Sequence, residues 1–396
     1  MKHLILLGAT GVFMRRLLPR LIQIKQLSIT LIARDLSKLE RLKKSSTLYS
    51  NVDLLALDKD AEGFAQVLAY LKPDILINGA GPYEFSNSLD CFKIASVCCE
   101  IGCDYIDLAD NREFVSHFHE SLDNLAKASK VVLVTGASSV PALSNAVVEH
   151  YQKEFSELSD VAIGICPGNQ TERGLGTVSS ILSYVGQPFT QWIDGRFKPV
   201  YGWQNLRKYK FEHSIGTRWL ANCDVPDLEL LPKQYPQLQS VSFQAGLEVS
   251  LMHIGLWALS WLTRMHWVNN WRRYAKPLVR VSRWMESWGS DDGAMFVELK
   301  GLPSKKRATR KRCSKATLPS KAILRWQLIA KKGRGPHVPT IAAELTVKRL
   351  LSDRLPCGAY PCTGFLKLDD FRKVLDALGI VHISSRNGFS PIEGDA

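Results

Sequence analysis

Acidic residues are missing from one long stretch of this chain: none occurs between Glu298 and Glu344. That interval holds thirteen of the 51 Lys and Arg residues, from Lys300 to Arg334, and the remaining 38 balance the 38 Asp and Glu. The formal charge of +13 is therefore local, and the body of the protein has no general affinity for polyanions. The basic stretch PSKKRATRKRCSKATLPSK has no interleaved aromatics, which argues against nucleic acid as a partner. No CxxC pair occurs among the nine cysteines. An odd, scattered set suits a reducing compartment better than a disulfide framework. No apolar run reaches the roughly 20 residues of a membrane span; the nearly charge-free Val249–Leu262 has 14. The N-terminal run Leu4–Leu7 is shorter than a signal peptide requires, so a non-secreted, cytoplasmic protein is expected. His117 and His119 lie two apart on a predicted helix and share no face, and no metal is expected. GASSV around Ser139 lacks the GxSxG elbow of a serine nucleophile. There are no internal repeats.

What is present is an alternation. Leu4–Leu7, Ser28–Ile32, Val52–Leu57, Ile75–Asn78, Tyr105–Leu108 and Val131–Val134 read as strands, separated by amphipathic runs such as the Leu17, Leu18, Leu21, Ile24 stripe. Strand–helix alternation predicts parallel βαβ units with helices on both faces. After Val134 the pattern changes. GASSVPALSN leads into a predicted helix over Ala142–Phe155, with Pro141 in its first turn. Two strands, MFVELKG and AILRWQLIA, form a hairpin across the basic loop 303–322, and further helices run from Pro339 to Leu351 and from Leu368 to Leu378. The fold class is α/β: a Rossmann-type parallel sheet over residues 1–138, and a second α+β substrate or dimerisation domain over 139–335.

The sharpest motif is GATGVFM, residues 8–14, between the first strand and the first helix. Gly8 lets the chain turn tightly. Gly11 lets a pyrophosphate approach the backbone, and the following helix N-terminus presents N–H groups to it. Gly8, Ala9, Thr10, Gly11, Val12 and Phe13 are thus candidate cofactor contacts. Met14 stands where a third glycine would sit, which predicts a looser helix–strand contact. At the end of the second strand, ITLIARD, Arg34 occupies the place where an NAD site would carry an acidic residue. A guanidinium there suits a 2′-phosphate, so NADP is expected rather than NAD; Asp35 reads as a helix N-cap. Asp58 is either an adenine contact or a cap. Ala80 and Gly81, in NGAGPY, are candidates for the ribose–nicotinamide side or a simple Gly-Pro turn.

Proton-handling groups for hydride chemistry must lie at the ends of strands four to six. Tyr83, Asp107 and Asp110 are the candidates there, with Ser138 and Ser139 nearby. The structural alternative has Asp110 capping the next helix and Tyr83 packing at a domain seam.

These residues carry a resemblance. GATGVFMRRLLPRL, NGAGPY, YIDLADNREF and GASSVPALSNAVV, in that order, resemble the saccharopine dehydrogenase-like oxidoreductases, and the likeness continues into GRGPHVPTIAAELTVKRLL and PCTGFLKLDDF. It implies a Rossmann domain completed by residues returning from the C-terminus, here 336–384, together with NADP and oxidoreductase chemistry. The substrate it implies is a small molecule or a lipid-linked compound. Gly168–Gly202 is the segment expected to line part of its site, with Arg173, Asp194 and Arg196 as polar candidates.

Six of the ten tryptophans fall between residues 257 and 288, as Trp257/Trp261, Trp267/Trp271 and Trp284/Trp288, among Arg264, Arg272, Arg273, Lys276, Arg280 and Arg283. Pairs four apart share a helix face. They are either core or an interfacial surface for anionic lipid. The second option opens an alternative function, a non-catalytic membrane-peripheral protein that keeps the Rossmann scaffold. A homodimer is a further expectation of partnership.

Overall fold

Short apolar strands flanked by amphipathic helices build the first of two units in this computed structural model, which describes residues 1–86, 88–172, 175–212, 215–304 and 321–388. Most of the basic loop 303–322, and Arg173, lie outside the described residues. The first unit comprises Met1–Leu143 and Pro336–Leu366. In chain order it runs β1 (Lys2–Leu7), α1 (Val12–Ile22), β2 (Leu27–Ala33), α2 (Leu36–Lys44), β3 (Asp53–Ala56), α3 (Phe64–Leu71), β4 (Ile75–Asn78), α4 (Lys93–Ile101), β5 (Asp104–Asp107), α5 (Arg112–Ala128) and β6 (Val132–Thr135).

The chain then enters the second unit, Ser144–Gly335 and Lys367–Ala396. This contains α6 (Ser144–Tyr151), β7 (Phe155–Cys166), α7 (Leu175–Ser183), β8 (Pro188–Ile193), β9 (Arg196–Tyr201), β10 (Arg207–Lys210), β11 (Thr217–Asn222), α8 (Asp227–Gln234), β12 (Ser240–Ala245), α9 (Ser250–Arg264), α10 (Ala275–Trp284), β13 (Gly293–Pro303) and β14 (Ala322–Ala330). It returns to the first unit for α11 (Ile341–Ser352) and β15 (Gly358–Pro361), then ends with α12 (Leu368–Ala377) and β16 (Val381–Asn387) in the second.

The first unit is a parallel sheet of order β15-β6-β5-β4-β1-β2-β3. Leu4–Leu7, Leu31, Ile32, Leu76 and Ile77 are at most 2% exposed, as strands covered on both faces must be. α1 buries Met14, Leu17, Leu18 and Leu21, positions at helical spacing that each gain roughly 1.5–3 kcal/mol on leaving water. The returning helix α11 is anchored to α1: Arg20 pairs with Glu344 and donates to the Thr340 hydroxyl, with Glu344 only 4% exposed. β15 then adds in parallel to β6, Gly358 opposite Val132 and Pro361 opposite Thr135. His119 donates to the Ala359 carbonyl, so this histidine serves the sheet edge.

The expected completion by 336–384 thus stops at Leu366. α12 and β16 belong to the second unit because β16 pairs antiparallel with β14, from Ile323 opposite Asn387 to Ile329 opposite Val381. The second unit's sheet has order β10-β11-β12-β7-β13-β14-β16, with the β8–β9 hairpin joined through β12. Among the described residues of this sheet, only β12 and β7 pair in parallel. β13 and β14 form the expected antiparallel hairpin.

Candidate active site

The carboxyl ends of the parallel strands carry the sequence-predicted residues in one row. β1 lies between β2 and β4; the chain runs outward from it in both directions, and ligands bind at such a switch point. Gly8 leaves β1 at φ +75°, and a Cβ there would lie 2.9 Å from the Gly79 carbonyl carbon. Only glycine fits this turn. Gly8 and Ala9 both donate to the Ile32 carbonyl, and Gly11 donates to Gly8. Gly11 is the N-cap of α1 and offers no side-chain acceptor, with no acid in the first turn. A Cβ on Gly11 would meet only the Gly8 carbonyl. An open, positive helix end of this kind can receive an anion, and Thr10, Val12 and Phe13 flank it.

Met14 does not loosen the contact as its position in the motif predicted. It is 1% exposed and lies over Gly79: a Cβ there would sit 2.4 Å from the Met14 Cγ. The space that a third glycine would have left has moved to the facing strand.

On the β2 side, Arg34 is exposed. Asp35 caps α2, accepting from the Lys38 N–H at 3.2 Å and the Ser37 hydroxyl at 2.7 Å. The Ser37 hydrogen bond, helped by the Lys38 N–H, holds its carboxyl below the usual range. At the end of neighbouring β3, Asp58 accepts from the Asp60 N–H at 3.1 Å, a turn cap. On the β4 side, Asn78 is buried and organises the loop: its Oδ1 accepts from the Ala80 N–H at 3.0 Å, and its amide donates to the Tyr105 hydroxyl at 3.0 Å. Ala80 is thereby fixed beside the Gly8 turn, with Gly81 next to it. Asn78 was not singled out from the sequence, where it read only as the last residue of a strand.

The three proton-handling candidates occupy different situations. The Tyr83 hydroxyl donates to the Asn78 carbonyl at 2.7 Å, and burial, then the Asp107 charge, pushes its phenol well up. Asp107 is fully buried. Its Oδ1 accepts from the Ala109 N–H, the Gly136 N–H and the Thr135 hydroxyl at 2.8–2.9 Å. Burial raises it to about 6 against these donors. It clamps the ends of β5 and β6 together. Asp110 sits on the loop after β5, and desolvation raises its carboxyl. It does not cap α5; Asn111 does, accepting from the Phe114 N–H at 2.9 Å. Ser138 and Ser139, after β6, are buried.

Two polar candidates of the second unit are turn residues. Asp194 (φ +53°) and Gly195 (φ +73°) join β8 to β9, the Asp-Gly signature of a two-residue hairpin turn. The Asp194 side chain is 74% exposed and pairs with Lys198; Arg196 is exposed beside it.

Residues 4–154 match the family model described as the saccharopine dehydrogenase NADP binding domain. The fold is similar to that of an apo, histidine-tagged saccharopine dehydrogenase (L-Glu forming) from Saccharomyces cerevisiae, at TM-score 0.65 and 12% identity, covering 98% of this chain and 100% of that one. A probable dehydrogenase from Thermotoga maritima matches at TM-score 0.46 and 8% identity, over 95% of this chain and 94% of that one. No curated protein matches the chain.

Proposed function

We propose, from the match of residues 4–154 to the saccharopine dehydrogenase NADP binding domain model, that the protein is an NADP-dependent oxidoreductase. The bound nicotinamide supplies hydride transfer to or from a small-molecule or lipid-linked substrate. The observation that carries the cofactor choice is the end of β2. An exposed guanidinium, Arg34, stands where a ribose-binding carboxylate would select NAD, and the adjacent carboxylate of Asp35 is engaged as a helix cap. A planar guanidinium matches a 2′-phosphate bidentately.

In this reading Gly8, Ala9, Thr10, Gly11, Val12 and Phe13 hold the pyrophosphate. Asp58 lies on the adenine side, and Ala80 and Gly81 on the nicotinamide side. Asp110 is the group that holds or releases a proton, because it lies on the loop that follows β5, its carboxyl is raised by desolvation, and it is free of capping duty. Asp107 and Tyr83 act as positioning residues for the β4–β6 loops.

The test is fluorescence titration with NADPH and with NADH. Arg34→Ala should weaken NADPH roughly ten- to a hundredfold, the loss of a charged hydrogen-bonded pair, and leave NADH nearly unchanged. Equal weakening of both, or no NADPH binding by the unaltered protein, would overturn the reading. Tight NADPH binding with no turnover on any carbonyl or imine substrate class would favour the non-catalytic scaffold instead.

A further inference from the structure

We infer that the outer face formed by α10 and its flanking turns binds the surface of an anionic bilayer, seating tryptophans among the headgroups without crossing. The six tryptophans of this segment do not share one fate. Trp271 is packed inward with Leu182, Val185, Trp203 and Ala275, and its indole N–H donates to the Thr263 hydroxyl at 2.8 Å. Trp257 and Trp261 are half-buried and touch each other. Trp267, Trp284 and Trp288 are 76%, 75% and 56% exposed. Single exposed apolar residues are ordinary, but several large ones in one segment mark an interaction site.

The helix geometry sorts α10 into faces. Ala275 and Leu278 point into the core cluster. Lys276, Arg280 and Arg283 stand at i, i+4 and i+7, one stripe on the outward half. Val281, 54% exposed, and Trp284 form the neighbouring stripe, which Trp288 extends by ring contact with Trp284. Cations beside aromatics on one helix surface is the pattern of an interfacial helix.

Charge selects the occupant. Between Glu248 and Glu286 the chain has no acidic residue and six Lys or Arg, which complements an anionic leaflet. Spanning is excluded for the described residues: no helix is long and apolar enough, and α9, with 15 residues, reaches only about 22 Å against a hydrocarbon core of about 30 Å.

The test is flotation of the full chain with phosphatidylglycerol/phosphatidylcholine vesicles and with phosphatidylcholine alone, with tryptophan quenching by brominated lipid as the depth readout. Binding is expected only to the anionic vesicles, weakening as salt rises, with quenching. W267S/W284S/W288S should bind roughly tenfold more weakly and lose the quenching, while binding NADPH as before. A second variant replaces the seven Lys and Arg between 305 and 315 by Gln, and should retain quenching. The inference is overturned if no vesicle binds at low salt, if neutral vesicles bind equally, or if the second variant alone abolishes binding. It is also overturned if the tryptophan variant changes the oligomeric state in place of vesicle binding.

Discussion

At the scale of single residues, the glycine turn shows which part of a motif is local. Gly8 and Gly11 were legible because the chemistry they serve, a positive φ and an open helix end, lies within four residues. Met14 was misread because its compensation, Gly79, is far along the chain and only the fold brings the two together. The pair is therefore coupled. Gly79→Ala alone drives a Cβ into Met14 and should cost about 1–3 kcal/mol. Met14→Ala alone leaves a void and should cost about 2–4 kcal/mol. In the double variant the new methyl enters the vacated space, so urea unfolding should give a loss smaller than the sum by about 1 kcal/mol. Strict additivity would refute the contact. The same locality explains Asp35, whose capping geometry is written in consecutive residues. Asn78 was illegible, because its two hydrogen bonds depend on a strand pairing that adjacent residues do not announce.

At the scale of elements, the parallel strands and their helices followed from apolar runs and helical stripes, and the β13–β14 hairpin from two such runs around a polar loop. The β8–β9 hairpin carried a readable signal, Asp194-Gly195, but its residues read as part of a segment lining the substrate site. A hairpin turn in solvent needs no such role. Two helices of the second unit meet through a contact no pattern marks: Ser144, at the start of α6, donates to Asp227, at the start of α8. Both are buried, and burial pushes the Asp227 carboxyl up to about 7. Its folded value lies above the unfolded one near 4, so the folded state binds the proton more tightly. The stability this adds is complete below about pH 4 and is lost as pH rises through about 7. Asp227→Asn, neutral at every pH, should flatten the fall in the urea midpoint between about pH 4 and 7, a window in which Asp107 contributes a smaller share. The expected difference is on the order of 2–4 kcal/mol. Parallel pH profiles for the two proteins would refute it.

At the scale of the whole molecule, Pro336–Leu366 returns to the first unit, while the last strand pairs within the second. The last strand could not be assigned from its own residues, because β16 is defined by its partner β14. The closure makes a prediction. A chain shortened to residues 1–143 lacks α11 and β15, leaving β6 as an unpaired edge and Arg20 without Glu344. Exposed parallel edges aggregate, so this piece should be insoluble. Residues 1–143 joined by a flexible linker to 336–366 should be soluble and bind NADPH; a soluble, NADPH-binding 1–143 would show the returning segment to be dispensable.

The pairing of Val132 with Gly358 also sets an order of events during synthesis. Roughly 200 residues must emerge after β6 before its neighbour exists, which at about 5–20 residues per second takes about 10–40 s. For that interval the nascent domain carries one uncovered edge of β6 on the ribosome, so a chaperone that shields sheet edges has its natural client window here, and slowing translation beyond codon 144 should lengthen it.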